Sequence, residues 1–102
     1  MTNRTLEIES RDNLRPAVVE QLPLVTFDLT AEQLITLRVC HGTENMPLSD
    51  QRVAVTQALA AFQRGVFVLL VDDRRVTSLG ERLCLGACSR VQFWRLVPLA
   101  GG

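Results

Sequence analysis

The feature that most constrains the fold is a continuous apolar run over residues 66–71, Val66-Phe67-Val68-Leu69-Leu70-Val71, with Gly65 before it and Asp72-Asp73 after it. A run of that length, rich in β-branched residues and closed by turn formers, reads as a strand buried on both faces, hence inside a sheet. A chain with such a strand must supply neighbours on both edges and a layer to cover it. The covering layer is expected just upstream. Val55, Leu59 and Phe62 recur at helical spacing with Ala58 between them, while Gln51, Gln57 and Gln63 take the other sides. Ser49 is read as the N-cap, Asp50 as a favourable first-turn charge, and Leu48 with Val53 as a hydrophobic staple. Gly65, after Arg64, supplies a left-handed stop. The helix is placed over residues 49–64.

The neighbours are sought on either side. Val25, Phe27 and Leu29 alternate with Thr26, Asp28 and Thr30, and Ile35, Leu37 and Val39 alternate with Thr36 and Arg38. Two period-2 runs joined by Thr30-Ala31-Glu32-Gln33 predict an antiparallel hairpin with one buried face. His41 to Asn45 reads as loop. After Asp72-Asp73 the chain turns, and Arg74-Arg75-Val76 is expected to pair back briefly. Residues 77–90 read as irregular, turning at Gly80 and Gly86 and pinned by Leu79, Leu83 and Leu85. Val91, Phe93 and their neighbours form a last strand that stops before Pro98. The order is ββαββ, an α+β domain in which one main helix packs across a mixed sheet. If the first and last strands lie parallel in the middle, the chain leaves from the sheet's centre. Residues 1–23, broken at Arg11-Asp12-Asn13 and at Pro16, are read as an N-terminal extension, either loosely ordered or adding one edge strand.

Length and composition fit one small domain: 102 residues, 47% hydrophobic, 11 basic against 11 acidic residues. That balance gives no basic stripe for nucleic acid and no acidic tail. No apolar window of about 18 residues is present for a membrane. Nor is there a leader-like N-terminus. A soluble protein of the cytoplasm is the expectation. The 3 cysteines, Cys40, Cys84 and Cys88, have no scaffold spacing and fit a reducing compartment. Cys84 and Cys88 with Cys40-His41 are a poor match to structural zinc spacings, so no metal site is assigned. One His and no nucleophile pattern leave no self-contained hydrolase, and no Gly-rich phosphate loop exists.

The final stretch, Val91-Gln92-Phe93-Trp94-Arg95-Leu96-Val97-Pro98-Leu99-Ala100-Gly101-Gly102, runs from an apolar strand into two glycines. The segments "VTFDLTAEQLITLRV", "FVLLVDDRRV" and "VQFWRLVPLAGG" together resemble the β-grasp proteins that include ubiquitin and the sulfur carriers of molybdopterin and thiamine synthesis. The resemblance covers roughly residues 24–102. Pro-x-Ala-Gly-Gly is similar to the sulfur carriers, and Arg-Leu-x-x-Leu-x-Gly-Gly to the ubiquitin-like modifiers. It implies an N-terminal extension (1–23), a ubiquitin-like domain (24–97) and an exposed tail (98–102).

It also implies a role. An adenylating, E1-like enzyme would use ATP and Mg²⁺ to convert the Gly102 carboxylate into an acyl-adenylate. A thiolate would then take the acyl group for transfer to a target amine, or a persulfide would yield a thiocarboxylate. The chain itself would be substrate rather than enzyme, and would bind no cofactor. Gly101 and Gly102, lacking Cβ, pass a channel that side chains would block. Ala100, Leu99 and Pro98 would be the recognised tail, with Pro98 stopping the sheet ladder or simply ending the strand. Leu70, Trp94 and Leu96 would form a partner-docking patch; alternatively Trp94 packs under the N-terminal extension. An E2-like enzyme, a deconjugating protease and a target protein are the further partners of a modifier, and a sulfur acceptor is the partner of a carrier. A non-covalent binding module of the same fold is the third reading. Every one of the 11 basic residues is Arg. Genome composition explains this, and it also leaves a modifier no lysine of its own on which to build chains.

Overall fold

The computed structural model describes residues 4–12, 16–24, 26, 28–86 and 89–95. Its elements in chain order are β1 (Arg4–Arg11), β2 (Val18–Leu24), β3 (Asp28–Thr30), α1 (Ala31–Gly42), α2 (Leu48–Gln63), β4 (Phe67–Val71), β5 (Arg74–Val76), β6 (Arg82–Cys84) and β7 (Val91–Arg95). The fold is α+β, with a mixed five-stranded sheet ordered β2-β1-β7-β4-β5 and a two-stranded sheet β3-β6. β1 and β7 are parallel and adjacent, and every other pair is antiparallel. The last strand thus occupies the middle of the sheet.

Alternation sorts each strand into two faces. Leu6 and Ile8 of β1, Leu22 and Leu24 of β2, Val91 and Phe93 of β7, Leu69 and Val71 of β4 and Val76 of β5 turn inward. They form one core with Leu29, Ala31, Leu34, Ile35, Phe62, Leu83 and Leu85. A ring chain, Phe62 to Phe67 and Phe67 to Phe93 at 5.8 Å each, ties α2 to the sheet. Residues 79–81 close the start of α1: Ala31 N–H donates to the Glu81 carbonyl and Glu32 N–H to that of Leu79, both at 3.0 Å. Two of the helix's free first-turn donors are thereby satisfied.

Several expectations are met. The strand over 67–71 is interior to the sheet, though buried on one face only, with Val68 and Leu70 half-buried on the other; β5 pairs back across Asp72-Asp73, and Gly65 has φ 77°. Asp72 and Asp73, at φ 52° and 66°, form a two-residue primed turn. The first strand does lie parallel beside the last, although that strand is β1.

Other expectations are corrected. The hairpin placed over residues 24–39 is the end of β2, the short β3 and helix α1. Thr30-Ala31-Glu32-Gln33 is a capping box and not a turn: Thr30 Oγ1 accepts from Gln33 N–H at 3.2 Å and Gln33 Oε1 accepts from Thr30 N–H at 2.8 Å. Ala31, Leu34 and Ile35 are buried at helical spacing, whereas Leu37, required inward by a strand, is exposed. Residues 1–23 are also not an appendage, since β1 and β2 supply Leu6, Ile8 and Leu22 to the core. Two helices, not one, form the second layer, and β6 interrupts the irregular stretch 77–90.

Finally, α2 begins at Leu48 after Pro47, with no side-chain cap. Its supposed staple is absent, Leu48 being 71% and Val53 55% exposed. Gln51 instead donates to the carbonyls of Thr43 and Met46 at 2.9 and 3.0 Å, bracing the preceding turn. No helix among the described residues is long and apolar enough to cross a membrane.

Because β1 separates β7 from β2 and seals the core, a chain lacking residues 1–23 is expected to lose cooperative thermal unfolding altogether. Circular dichroism melting of the shortened chain checks this. A sharp transition within a few degrees of the full chain's would restore the extension reading.

Candidate functional site

The helices cover one face of the sheet. The other face carries the alternate residues of each strand: Glu7, Glu9 and Arg11 of β1, Val19 and Gln21 of β2, Gln92 and Trp94 of β7, Val68 and Leu70 of β4, and Arg75 of β5. Val68 stands opposite Trp94, and Leu70 opposite Gln92. Leu70 and Trp94, expected in a docking patch, therefore share a face one diagonal step apart, within reach of a long side chain. Both are half-buried. Val68 completes the apolar strip and was not singled out in the sequence, because a buried central strand gave no reason to prefer one of its faces. The remaining expected site residues, Leu96, Pro98, Leu99, Ala100, Gly101 and Gly102, lie outside the described residues.

Trp94 is set by its neighbours. Its Cα partner on β1 is Arg11, whose guanidinium lies 5.2 Å from the indole centroid. The ring thus rests against the segment read as an extension, while still belonging to the open face. Its Nε1 is buried without a hydrogen-bond partner among the described residues. A donor so placed raises the cost of keeping Trp94 where it is.

Beside the apolar strip runs a polar network centred on Glu9. Arg11 hydrogen-bonds it, Arg90 approaches at 3.7 Å, and Gln92, only 3% exposed, donates at 3.5 Å. The Arg11 hydrogen bond, then the charges of Arg11 and Arg90 and the Gln92 contact, hold the Glu9 carboxyl below the usual glutamate range against a smaller opposing effect of burial. Arg90 also anchors the β4–β5 turn. Its N–H donates to Asp72 Oδ1 at 2.8 Å, and its carbonyl accepts from Asp72 N–H at 2.8 Å. The network fixes where β7 begins relative to that turn. Chemically, the face offers an apolar strip with charged groups of both signs along it, an arrangement suited to docking a protein surface.

The cysteines do not converge among the described residues. Cys40 is on α1, Cys84 is exposed on β6, and Cys88 lies outside the described residues. His41 Nδ1 lies 3.2 Å from a Glu44 carboxylate oxygen. Among the described residues no three His, Cys, Asp or Glu side chains are grouped to hold a metal ion.

The Glu9 network makes stability depend on pH with a defined sign. A carboxyl whose pKa is lower folded than unfolded stabilises the fold above its unfolded pKa and ceases to do so as pH falls through the folded value. Glu9→Gln is therefore expected to melt below the wild type at pH 7. The gap should narrow as pH falls below about 4.5, near the ordinary glutamate value. Paired melts from pH 7 to pH 3 measure it, and a gap independent of pH overturns the assignment. Compared with known protein families, curated proteins and solved structures, the chain matches none.

Proposed function

We propose that the chain is a ubiquitin-like modifier of β-grasp type, whose Gly102 carboxylate is activated by an E1-like adenylating enzyme and joined to target amines. The observation that carries this reading is the placement of β7. It is the middle strand, parallel to β1 and beside β4, with helices on one face only. In sequence, Gly101-Gly102 follows Arg95 within a few residues. A final central strand followed by a Gly-Gly pair is the main part of the resemblance; the hairpin it also drew on, over residues 24–39, is replaced by β3 and α1, and β1 supplies the parallel neighbour of β7.

The chemistry conserves atoms at each step. The carboxylate attacks the α-phosphate of ATP and releases pyrophosphate, giving an acyl-adenylate. A thiolate of the enzyme displaces AMP to form a thioester, and a target amine then displaces the thiol to form an amide. ATP and Mg²⁺ belong to the enzyme. In this scheme the chain contributes a recognisable tail and a docking face, and Val68, Leu70 and Trp94 are the part of that face within the described residues. Its lack of lysine limits it to single tags, apart from attachment through its N-terminal amine.

The Pro98-x-Ala100-Gly101-Gly102 pattern favours a second reading, a sulfur carrier. There an enzyme persulfide displaces AMP to give an acyl disulfide, and a second thiolate cleaves its S–S bond, leaving an enzyme disulfide and a thiocarboxylate at Gly102. The two are separated by mass.

Incubated with ATP, Mg²⁺ and host lysate, the chain is expected to yield thiol-resistant species of higher mass linked through Gly102. Deletion of Gly101 and Gly102 should abolish them. A gain of roughly 16 Da, sulfur for oxygen, would establish the carrier instead. If neither product forms, both covalent readings fail. In the same assay Trp94→Ala, with its fold checked by circular dichroism, should lower the rate of product formation about tenfold through weaker docking.

A further inference from the structure

The direction of the backbone groups can be followed across the five-stranded sheet from one edge to the other. The two-residue turn at Asp72-Asp73 makes Val71 and Arg74 a pair that exchanges both N–H···O bonds. Directions alternate along a strand, so Leu69 and Val71 point their backbone groups to β5. Val68 and Leu70 then point theirs to β7, opposite Trp94 and Gln92. Val91 and Phe93 accordingly face β1, where Glu9 sits across from the residue between them. Glu9 and Arg11 bond toward β7, which leaves Leu6, Ile8 and Ser10 to bond with Leu22, Glu20 and Val18 of β2. The backbone groups of Val19, Gln21 and Pro23 therefore point out of the sheet. Pro23 provides an independent check: lacking an N–H, it falls on the side where the ladder needs none.

Among the described residues no backbone group meets this outer edge. The opposite edge, β5, is three residues long and carries two arginines, both devices that discourage pairing. β2 is seven residues long, and its first half is unguarded: Val18 is 61% and Val19 55% exposed, and its proline stands near the far end.

We infer that β2 pairs antiparallel with β2 of a second copy of this chain, about a twofold axis at Val19. Register selects that axis. Centring the pair on Glu20 sets two carboxylates directly opposite each other. Centring it on Gln21 puts Val19 across from Pro23 and loses the proline-side N–H. Centring it on Val19 lets Val19 exchange both hydrogen bonds with its copy and packs β-branched side chains against each other. Val18 then faces Glu20 of the second copy and Gln21 faces Ala17, just before β2, so the pairing spans residues 17–21 of each copy and no like charges meet. The strand is its own complement at this register, which is why a second copy is the occupant. The axis stands normal to the sheet, so the two sheets become one, and both Trp94 faces lie on the same side. The dimer would offer a partner two docking strips at once.

Sedimentation equilibrium between roughly 10 µM and roughly 1 mM tests this, a range that brackets a weak edge pairing. The wild type is expected to rise from the 11.4 kDa monomer toward twice that mass. The amides of Val19 and Gln21 should gain protection from hydrogen exchange over the same range. Val19→Pro removes the outward N–H while sparing the internal ladder, as Pro23 already does, and should remain monomeric with an unchanged circular dichroism spectrum. If that variant does not fold, Val19→Lys is read in its place. It keeps the N–H but sets two cations opposite each other, and should weaken self-association about fivefold. A wild type monomeric throughout overturns the inference, whether or not the edge accepts an extended peptide. So does a dimer that neither substitution weakens.

Discussion

The rest of the structure depends on the parallel pairing of β1 with β7. It joins the first and last described strands, closes the sheet around its middle strand and gives Ile8, Val91 and Phe93 a common core face. A parallel pair needs a long crossover, and everything from β2 to β6 lies within it. The helices thus fall on one face, where Ala31, Leu34, Ile35 and Phe62 meet the strands. The pairing has a kinetic corollary: its contacts have the largest sequence separation in the chain, so β1 and β7 gain little from each other until the parts between them are ordered.

A sheet covered on one side has to make its other side tolerable to water. The open face does this with charge rather than with a second layer. Glu7, Glu9 and Arg11 occupy β1, Arg75 occupies β5, and the Glu9 network reaches over to bury Gln92 in the middle. Into this polar surface the chain places Val68, Leu70 and Trp94. All three are half-buried there, and each keeps part of its apolar surface on the open side. An apolar strip retained on a face that no described element covers is reason to read that face as one that meets another molecule.

Residues that alternate or repeat over a full element could be read from sequence: the apolar run became β4, the Val55/Leu59/Phe62 stripe became α2, and the two aspartates became the turn. The failures have one physical source. Residues 31–39 satisfy two periods at once, because Ile35, Leu37 and Val39 alternate while Ala31, Leu34 and Ile35 sit at helical spacing. The capping box at Thr30 and Gln33 decides between them, and its side-chain hydrogen bonds were available to inspection as a T-x-x-Q pattern. A hairpin over residues 24–39 leaves residues 1–23 at most one edge strand, whereas the Leu6/Ile8 and Leu22/Leu24 alternation belongs to two, one of them interior. The apolar side of the open face could be anticipated in part, from Trp94 standing opposite in phase to Phe93. The Glu9 network could not, since it joins residues from both ends of the chain.

Several charges of the described residues hold this architecture in position. Arg82 pairs with Asp28, Arg74 with Glu81, Arg38 with Glu20, and Arg11 and Arg90 with Glu9. Each pair links two parts of the fold or steadies a strand end, and each spends an ionisable group on holding position. Recognition is offered two geometric features: a face with an apolar strip, and an edge whose backbone groups meet no backbone partner among the described residues. These surfaces lie at right angles, so a partner on one leaves the other open. A domain arranged in this way fits the proposed role, in which the protein is held by its faces and handed from enzyme to enzyme by its tail.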